Sequence, residues 1–308
     1  MKKFEIIVPT YNRLRTLPRA INSILSQTEK NIGIIVVDDG SVDGTKEWLA
    51  SLHDKRITAI FHSQNYGQNA ALNSGVVQST ADYIGFCDSD DELLQNYCEE
   101  HLKKFSEDPD LGATYSTKLF CPNGVISGIC IPFELEGNCY KEVLEQGYLS
   151  HMGTLVTRLS TIRKAGLFDL NFTNHQDDDF CFRVAKIAKI GLIKTPLAVE
   201  HTDAPNRVTG DRSDYADGFA KLIRKFYEEI LSVCGGKTLI KHLLKSSDLY
   251  ESCKRIDEGK NALNLALQEF NKEAEKTHQG QNMQDEIVQL NYLKNEIVKR
   301  YQRYAIVV

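Results

Sequence analysis

Asp88-Ser89-Asp90-Asp91 sets three carboxylates within four residues, directly after the apolar run Tyr83-Ile84-Gly85-Phe86-Cys87. Carboxylates so placed are close together and partly desolvated, and they repel unless a cation bridges them. Hard oxygen donors of this kind suit Mg2+ or Mn2+. Those ions take one or two protein carboxylates and fill the remaining shell with substrate phosphates and water. Two other polar clusters also follow apolar runs: Pro9-Thr10-Tyr11-Asn12 after Phe4 to Val8, and Asp38-Asp39-Gly40-Ser41 after Ile32 to Val37. Any one of them could simply cap the next helix. Three at equivalent places describe a ligand site at the carboxyl ends of sheet strands.

The elements that must position these clusters are legible in the first ninety residues. Phe4 to Val8, Ile32 to Val37, Arg56 to Phe61 and Tyr83 to Cys87 read as strands. Leu17, Ile21, Ile24 and Leu25, then Trp48, Leu49 and Leu52, repeat at helical spacing between them. Ser41 or Asp43 can cap the second of these helices, and Asp91 reads as a cap for a later one. Unbroken apolar strands separated by helices predict a mostly parallel α/β sheet covered on both faces. Residues 108–137 differ: Asn123-Gly124 signals a hairpin among short runs broken by Pro122 and Pro132. Strands are then expected over Met152 to Thr157 and Gly191 to Val199, with a helix over Asp177 to Lys189. After about Ser213 the pattern is helical, broken at Gly235-Gly236 and His278-Gln279-Gly280. Leu263, Leu267 and Phe270 mark one apolar face, and Ile287, Leu290, Ile297, Tyr301 and Tyr304 another. The second set nearly keeps a heptad, but Lys294 interrupts the seam, so a helix packed on its own domain is expected over a coiled coil.

Residues 4–91 resemble the nucleotide-binding half of family 2 glycosyltransferases, which share the GT-A fold. The matching stretches are Ile7-Val8-Pro9-Thr10-Tyr11-Asn12, Ser23 to Thr28, Val36-Val37-Asp38-Asp39-Gly40-Ser41, Asn65-Tyr66-Gly67, Ala71-Leu72-Asn73-Ser74-Gly75 and Asp88-Ser89-Asp90-Asp91. The resemblance runs on to about residue 203. It implies that Pro9, Thr10 and Tyr11 frame the base, with the Tyr11 ring as a stacking surface. It further implies that Asp39 bonds the uracil edge, that Asp88 lies near ribose and sugar, and that Asp90 holds a metal on the diphosphate. His175-Gln176-Asp177-Asp178-Asp179-Phe180 resembles the family's acceptor-side acidic segment, with Gln176 in place of the usual Glu. The matching position makes Asp177 the catalytic base, a carboxylate that takes the acceptor hydroxyl's proton during inverting transfer. A bland reading of the same residues is an acidic first turn complementing a helix dipole. Family members often carry a histidine near His201, where imidazole would join Asp88 and Asp90 as a metal ligand and favour Mn2+ over Mg2+. Many relatives have Arg where this chain has Leu72, which removes one cationic contact to the donor. Arg207, Gly210 and Arg212 lie in a polar stretch that could close over the diphosphate.

The expected domains are a catalytic domain over 1–212, with a donor half (1–107) and an acceptor half (108–212), and a helical C-terminal region over 213–308. Net charge of -5 argues against a dominant nucleic-acid role. No run approaches the ~18 apolar residues of a membrane span. Eight scattered cysteines without a Cys-x-x-Cys pair fit reduced, buried thiols over the zinc sites that Cys98 and His101, or Cys121, Cys130 and Cys139, could suggest. The expected function is an inverting, UDP-sugar-dependent, Mn2+- or Mg2+-assisted glycosyltransferase in bacterial polysaccharide or glycoconjugate synthesis. Its acceptor would be a saccharide or lipid-linked saccharide. The expected place is the cytoplasm, with three options for the tail: homo-oligomerisation, simple packing, or peripheral contact at the inner membrane face through the basic run Lys237 to Lys245, a run that is more often a plain surface helix. The rival readings are a retaining transferase or nucleotidyltransferase on a similar sheet, and a nucleotide-binding scaffold acting through its tail.

Overall fold

The computed structural model describes residues 3–130, 133–203, 211–277 and 283–306. The chain opens with β1 (Phe4–Thr10), α1 (Leu17–Leu25), β2 (Ile32–Asp38), α2 (Thr45–Ala50), β3 (Ile57–Phe61), α3 (Gln68–Gln78) and β4 (Tyr83–Phe86). Every residue of β1 and β2 is buried, which is why both read as unbroken apolar runs. β1 lies between β2 and β4, and β3 flanks β2, all in parallel. The clusters at Pro9, Asp39 and Asp88 therefore leave the sheet at one end.

β5 (Glu92–Leu93), α4 (Tyr97–Glu107), β6 (Leu111–Cys121), β7 (Gly128–Cys130), α5 (Tyr140–Gln146), β8 (Leu155–Arg158), α6 (Leu159–Ala165), α7 (Gln176–Ile187) and β9 (Lys189–His201) follow. They extend the sheet to nine strands in the order β3-β2-β1-β4-β8-β6-β9-β5, with β7 paired to β6. β8 runs antiparallel to β4, so the parallel order ends beside the strand that delivers Asp88. Such a switch point opens a crevice for ligands.

Several boundaries differ from the sequence expectation. Met152–Thr154 is a 3-10 turn, and the strand begins only at Leu155. Asn123 (φ 53°) and Gly124 (φ 79°) do form a turn, yet pairing resumes at Phe120 with Gly128, a longer loop than a two-residue hairpin. Asp91 caps no helix: α4 starts at Tyr97 after Asn96, and the Asp91 carboxylate instead accepts the His201 backbone N–H at 2.9 Å. Neither Ser41 nor Asp43 is the N-cap of α2, which is Gly44; Ser41 Oγ accepts the Asn12 N–H instead, and Asp43 accepts the Thr45 N–H at 3.1 Å.

The chain forms two compact units, residues 1–143 with 148–207, and residues 144–147 with 208–308. The second contains α8 (Arg212–Lys225), α9 (Tyr227–Cys234), α10 (Gly236–Ser252), α11 (Ile256–Thr277) and α12 (Met283–Ile306). Gly235, in the left-handed region at φ 85°, separates α9 from α10. α12 buries Leu290, Leu293, Ile297 and Tyr304, and the Tyr304 hydroxyl bonds Ser247 of α10 at 2.9 Å. Its inner face runs through Leu293, while Ile287 and Lys294 are exposed. On the Lys237–Lys245 run, Leu239, Ile240, Leu243 and Leu244 are all buried. The face that would enter a membrane is already covered within the unit. Among the described residues no helix is long and apolar enough to cross a membrane. The expected break at 278–280, with Arg207 and Gly210, lies outside the described residues.

Candidate active site

The loops after β1 and β2 are stitched to each other before any ligand arrives. The Asn12 N–H donates to Ser41 Oγ at 2.8 Å, and Asn12 Oδ1 accepts the Val42 N–H at 2.9 Å. Asn12 takes a left-handed backbone (φ 53°) to do this, a conformation asparagine tolerates better than most residues. The Asp39 N–H donates to the Thr10 carbonyl at 2.9 Å. Pro9 and Thr10 are buried at this junction, while Tyr11 is 42% exposed, an open ring beside the Asp39 loop.

Asp39 is buried, and its carboxylate is already engaged. Oδ1 accepts from His62 Nδ1 at 2.7 Å and from the Tyr66 N–H at 2.9 Å; Oδ2 accepts the Gly67 N–H at 2.8 Å. The sequence offers no local sign of this array. It draws the loop after β3 against the end of β2, and Gly40 lets the backbones meet. A Cβ there would lie 2.6 Å from the Gln64 carbonyl carbon.

Asp88, Asp90 and Asp91 follow β4 as expected. Burial, then the negative charges of Asp90 and Asp177, push the Asp88 carboxyl up to about 7. Burial, then Asp88 and Asp90, raise Asp91 well above the usual carboxylate range. Arg19 of α1 anchors the loop: it donates to the Asp90 carbonyl and makes two bonds to the Asp203 carboxylate, at 2.9 and 3.1 Å. This clamp joins residues 184 apart, so no local sequence pattern could announce it. Gln68, at the start of α3, donates to Asp88 Oδ1 at 3.2 Å.

His201 ends β9, buried. Its Nε2 lies 2.8 Å from Glu92 Oε1, while its buried Nδ1 has no hydrogen-bond partner. In the tautomer that gives Glu92 the ring proton, Nδ1 presents a lone pair, the orientation a carboxylate imposes on a metal-bound histidine. No three His, Cys, Asp or Glu side chains among the described residues make a ready metal cage. The acidic oxygens and the orphaned imidazole nitrogen fit a Mg2+ or Mn2+ ion.

Asp177 stands in the first turn of α7, after His175 in a left-handed conformation (φ 59°). Burial, then Asp178, push the Asp177 carboxyl up to about 7, against the opposing effect of His175. Its negative charge is among those that raise the Asp88 carboxyl, after burial and Asp90. Gln176 Nε2 donates to Gln68 Oε1 at 3.3 Å, continuing the link from Asp88. The approach to α7 is set from α3. Asn73 exchanges two bonds with the Phe168 backbone, at 2.8 and 2.9 Å, and Asn69 donates to the Asp169 and Phe172 carbonyls. Leu72 of α3 is a buried core residue.

A half-parallel, half-mixed sheet with an acidic loop at the switch strand and helices on its faces is a GT-A-type transferase fold. The profile described as Glycosyl transferase family 2 matches residues 5–154. An uncharacterised glycosyltransferase of Haemophilus influenzae is 31% identical over 189 residues, covering 59% of this chain and 70% of that protein. The chain belongs to the family 2 glycosyltransferases. A glycosyltransferase of Rickettsia conorii is 31% identical over 71% of this chain but 36% of its own length, so the match spans about a third of that relative. A Campylobacter jejuni GalNAc(5)-diNAcBac-PP-undecaprenol beta-1,3-glucosyltransferase is 37% identical over 48% of this chain and 44% of that protein. Among solved structures, Staphylococcus aureus TarS 1-349 in complex with UDP-GlcNAc superposes with a TM-score of 0.70 at 17% identity, over 98% of this chain and 90% of that one. The mannosyltransferase PcManGT of Pyrobaculum calidifontis, in complex with GDP-Man and Mn2+, gives 0.56 at 19% identity, over 97% and 87%.

Proposed function

We propose that the chain is an inverting glycosyltransferase that moves a sugar from a UDP-sugar to an acceptor hydroxyl, in bacterial polysaccharide or glycoconjugate synthesis. What supports this reading most is the hydrogen-bonded link from Asp88 through Gln68 to Gln176, at 3.2 and 3.3 Å, which ties the loop after β4 to the first turn of α7; burial pushes both the Asp88 and Asp177 carboxyls up to about 7. A base poised near neutral pH is matched to its task. Asp177 takes the proton of the acceptor hydroxyl as that oxygen attacks the anomeric carbon, while the diphosphate departs on the Asp88 side.

Tyr11 stacks on the base beside Pro9 and Thr10, and Asp39 accepts the uracil imide N–H through the lone pair left on Oδ2. Asp90, Asp88 and His201 Nδ1 would hold Mn2+ or Mg2+. Such an ion offsets charge on the leaving diphosphate when bound. The complexes of TarS with UDP-GlcNAc and of PcManGT with GDP-Man and Mn2+ support a nucleotide-sugar donor and a divalent ion. The Campylobacter relative supports a lipid-linked saccharide as acceptor. Residues 1–212 serve as the catalytic domain and 213–308 as a helical appendage.

Asp177→Asn tests the reading. It should keep UDP and Mn2+ affinity but lose about 10³-fold in kcat. Near-normal turnover would overturn the assignment.

A further inference from the structure

Asp39 is one end of a relay that the proposed chemistry leaves unused. His62 Nδ1–H donates to Asp39 Oδ1 at 2.7 Å, and His62 Nε2 lies 2.9 Å from Ser74 Oγ of α3. With Nδ1 carrying the proton, Nε2 accepts from the Ser74 hydroxyl, and the neutral ring has both nitrogens satisfied. The Tyr66 ring packs edge-on to His62 with centroids 5.5 Å apart, and the Tyr66 and Gly67 amides take further positions on the same carboxylate. Asp39 is thus gripped by three donors from one loop, and a single lone pair on Oδ2 remains free to accept.

We infer that His62 is a positioning residue for nucleobase selection: held by Ser74, it fixes the Asp39 carboxylate so that its free lone pair meets an imide N–H and rejects a ring nitrogen acceptor. The inference rests on the proposed role of Asp39 at the base. Its chemistry separates two pyrimidines of nearly one shape. Uracil presents an N–H at this edge, whereas cytosine presents a bare nitrogen that an oriented carboxylate repels. A carboxylate free to turn would lose that discrimination, because it could present a different lone pair or admit a bridging water. The other two donors are backbone amides, and His62 supplies the only side-chain donor to Asp39 among the described residues.

The test measures UDP and CDP affinity by calorimetry on the full chain, with Mn2+ present. The wild-type protein should prefer UDP by at least about tenfold. His62→Ala should cut the UDP-to-CDP ratio by about tenfold, the scale of one hydrogen bond to a charged group. His62→Asn, whose amide can donate from the position of Nδ1, should restore most of it. Ser74→Ala, which frees the ring to reorient, should lower the ratio by about threefold and serves if His62→Ala does not fold. An unchanged ratio in His62→Ala, or in Ser74→Ala where that variant stands in, overturns the inference. Equal loss of both nucleotides with the ratio intact also overturns it, since that marks a purely structural role. A wild-type protein that binds UDP and CDP alike overturns the reading of Asp39 itself.

Discussion

With no metal present, burial holds the Asp88 and Asp177 carboxyls at about 7, against 3.8 for an unperturbed aspartate. The folded state therefore binds protons that the unfolded chain has released. The stability this contributes is complete below about pH 4 and is lost as pH rises through about 7. In EDTA, the melting temperature should fall by about 5 °C between pH 5 and pH 8, apart from the general acid limb below that range. Asp88→Asn should flatten the slope and raise the melting temperature at pH 8, and a profile indifferent to this change would count against the cleft. Glu92 makes a separate residue-scale test, because it orients the His201 ring at 2.8 Å. Glu92→Ala should weaken Mn2+ binding by about 10- to 100-fold, read by titration with the ion alone.

At the scale of elements, α3 acts as a splint between the two halves of the site. Gly75 presses it onto β1, where an added Cβ would lie 2.5 Å from Ile7 Cγ2. Gly75→Ala should cost about 1–2 kcal/mol in urea unfolding, overpacking outweighing the helix propensity gained. Asn73→Ala should remove about 2 kcal/mol and lower kcat more than UDP affinity, because the Phe168 backbone it releases leads into α7. The sheet half that α3 covers was legible because fully buried parallel strands read as unbroken apolar runs and their ends as acidic or Pro-Thr clusters. The pairings that complete the site were not. Asn73 meets Phe168 across 95 residues and Arg19 meets Asp203 across 184, distances at which one sequence holds no periodicity. His62 follows the expected strand Arg56 to Phe61 with no sequence pattern to single it out. Met152–Thr154 was misread as strand because apolar and β-branched residues also suit a buried 3-10 turn.

For the whole molecule, the division into units has a consequence for truncation. Residues 144–147 belong with the helical unit: His242 Nε2 donates to the Leu144 carbonyl at 2.7 Å, and Gly147 packs against the His242 ring. A chain cut after residue 207 would leave that segment without its partners. Such a protein should melt at least about 5 °C lower than the full chain, measured by calorimetry, even if it still binds UDP. Light scattering on both lengths would report any self-association carried by the helices. The buried run Leu239 to Leu244 predicts that removing the tail does not change binding to anionic liposomes.

β5 has β9 as its partner strand, and β9 is the last strand of its unit in chain order among the described residues. The Asp91 carboxylate likewise waits for a backbone amide 110 residues further on. On the ribosome, the acidic loop thus emerges early and is closed late, after most of the sheet has been synthesised. A nascent chain arrested before Lys189 should present residues 88–95 as a protease-sensitive segment. Completion of His201 should protect it, making closure of the acidic loop a late event in biogenesis.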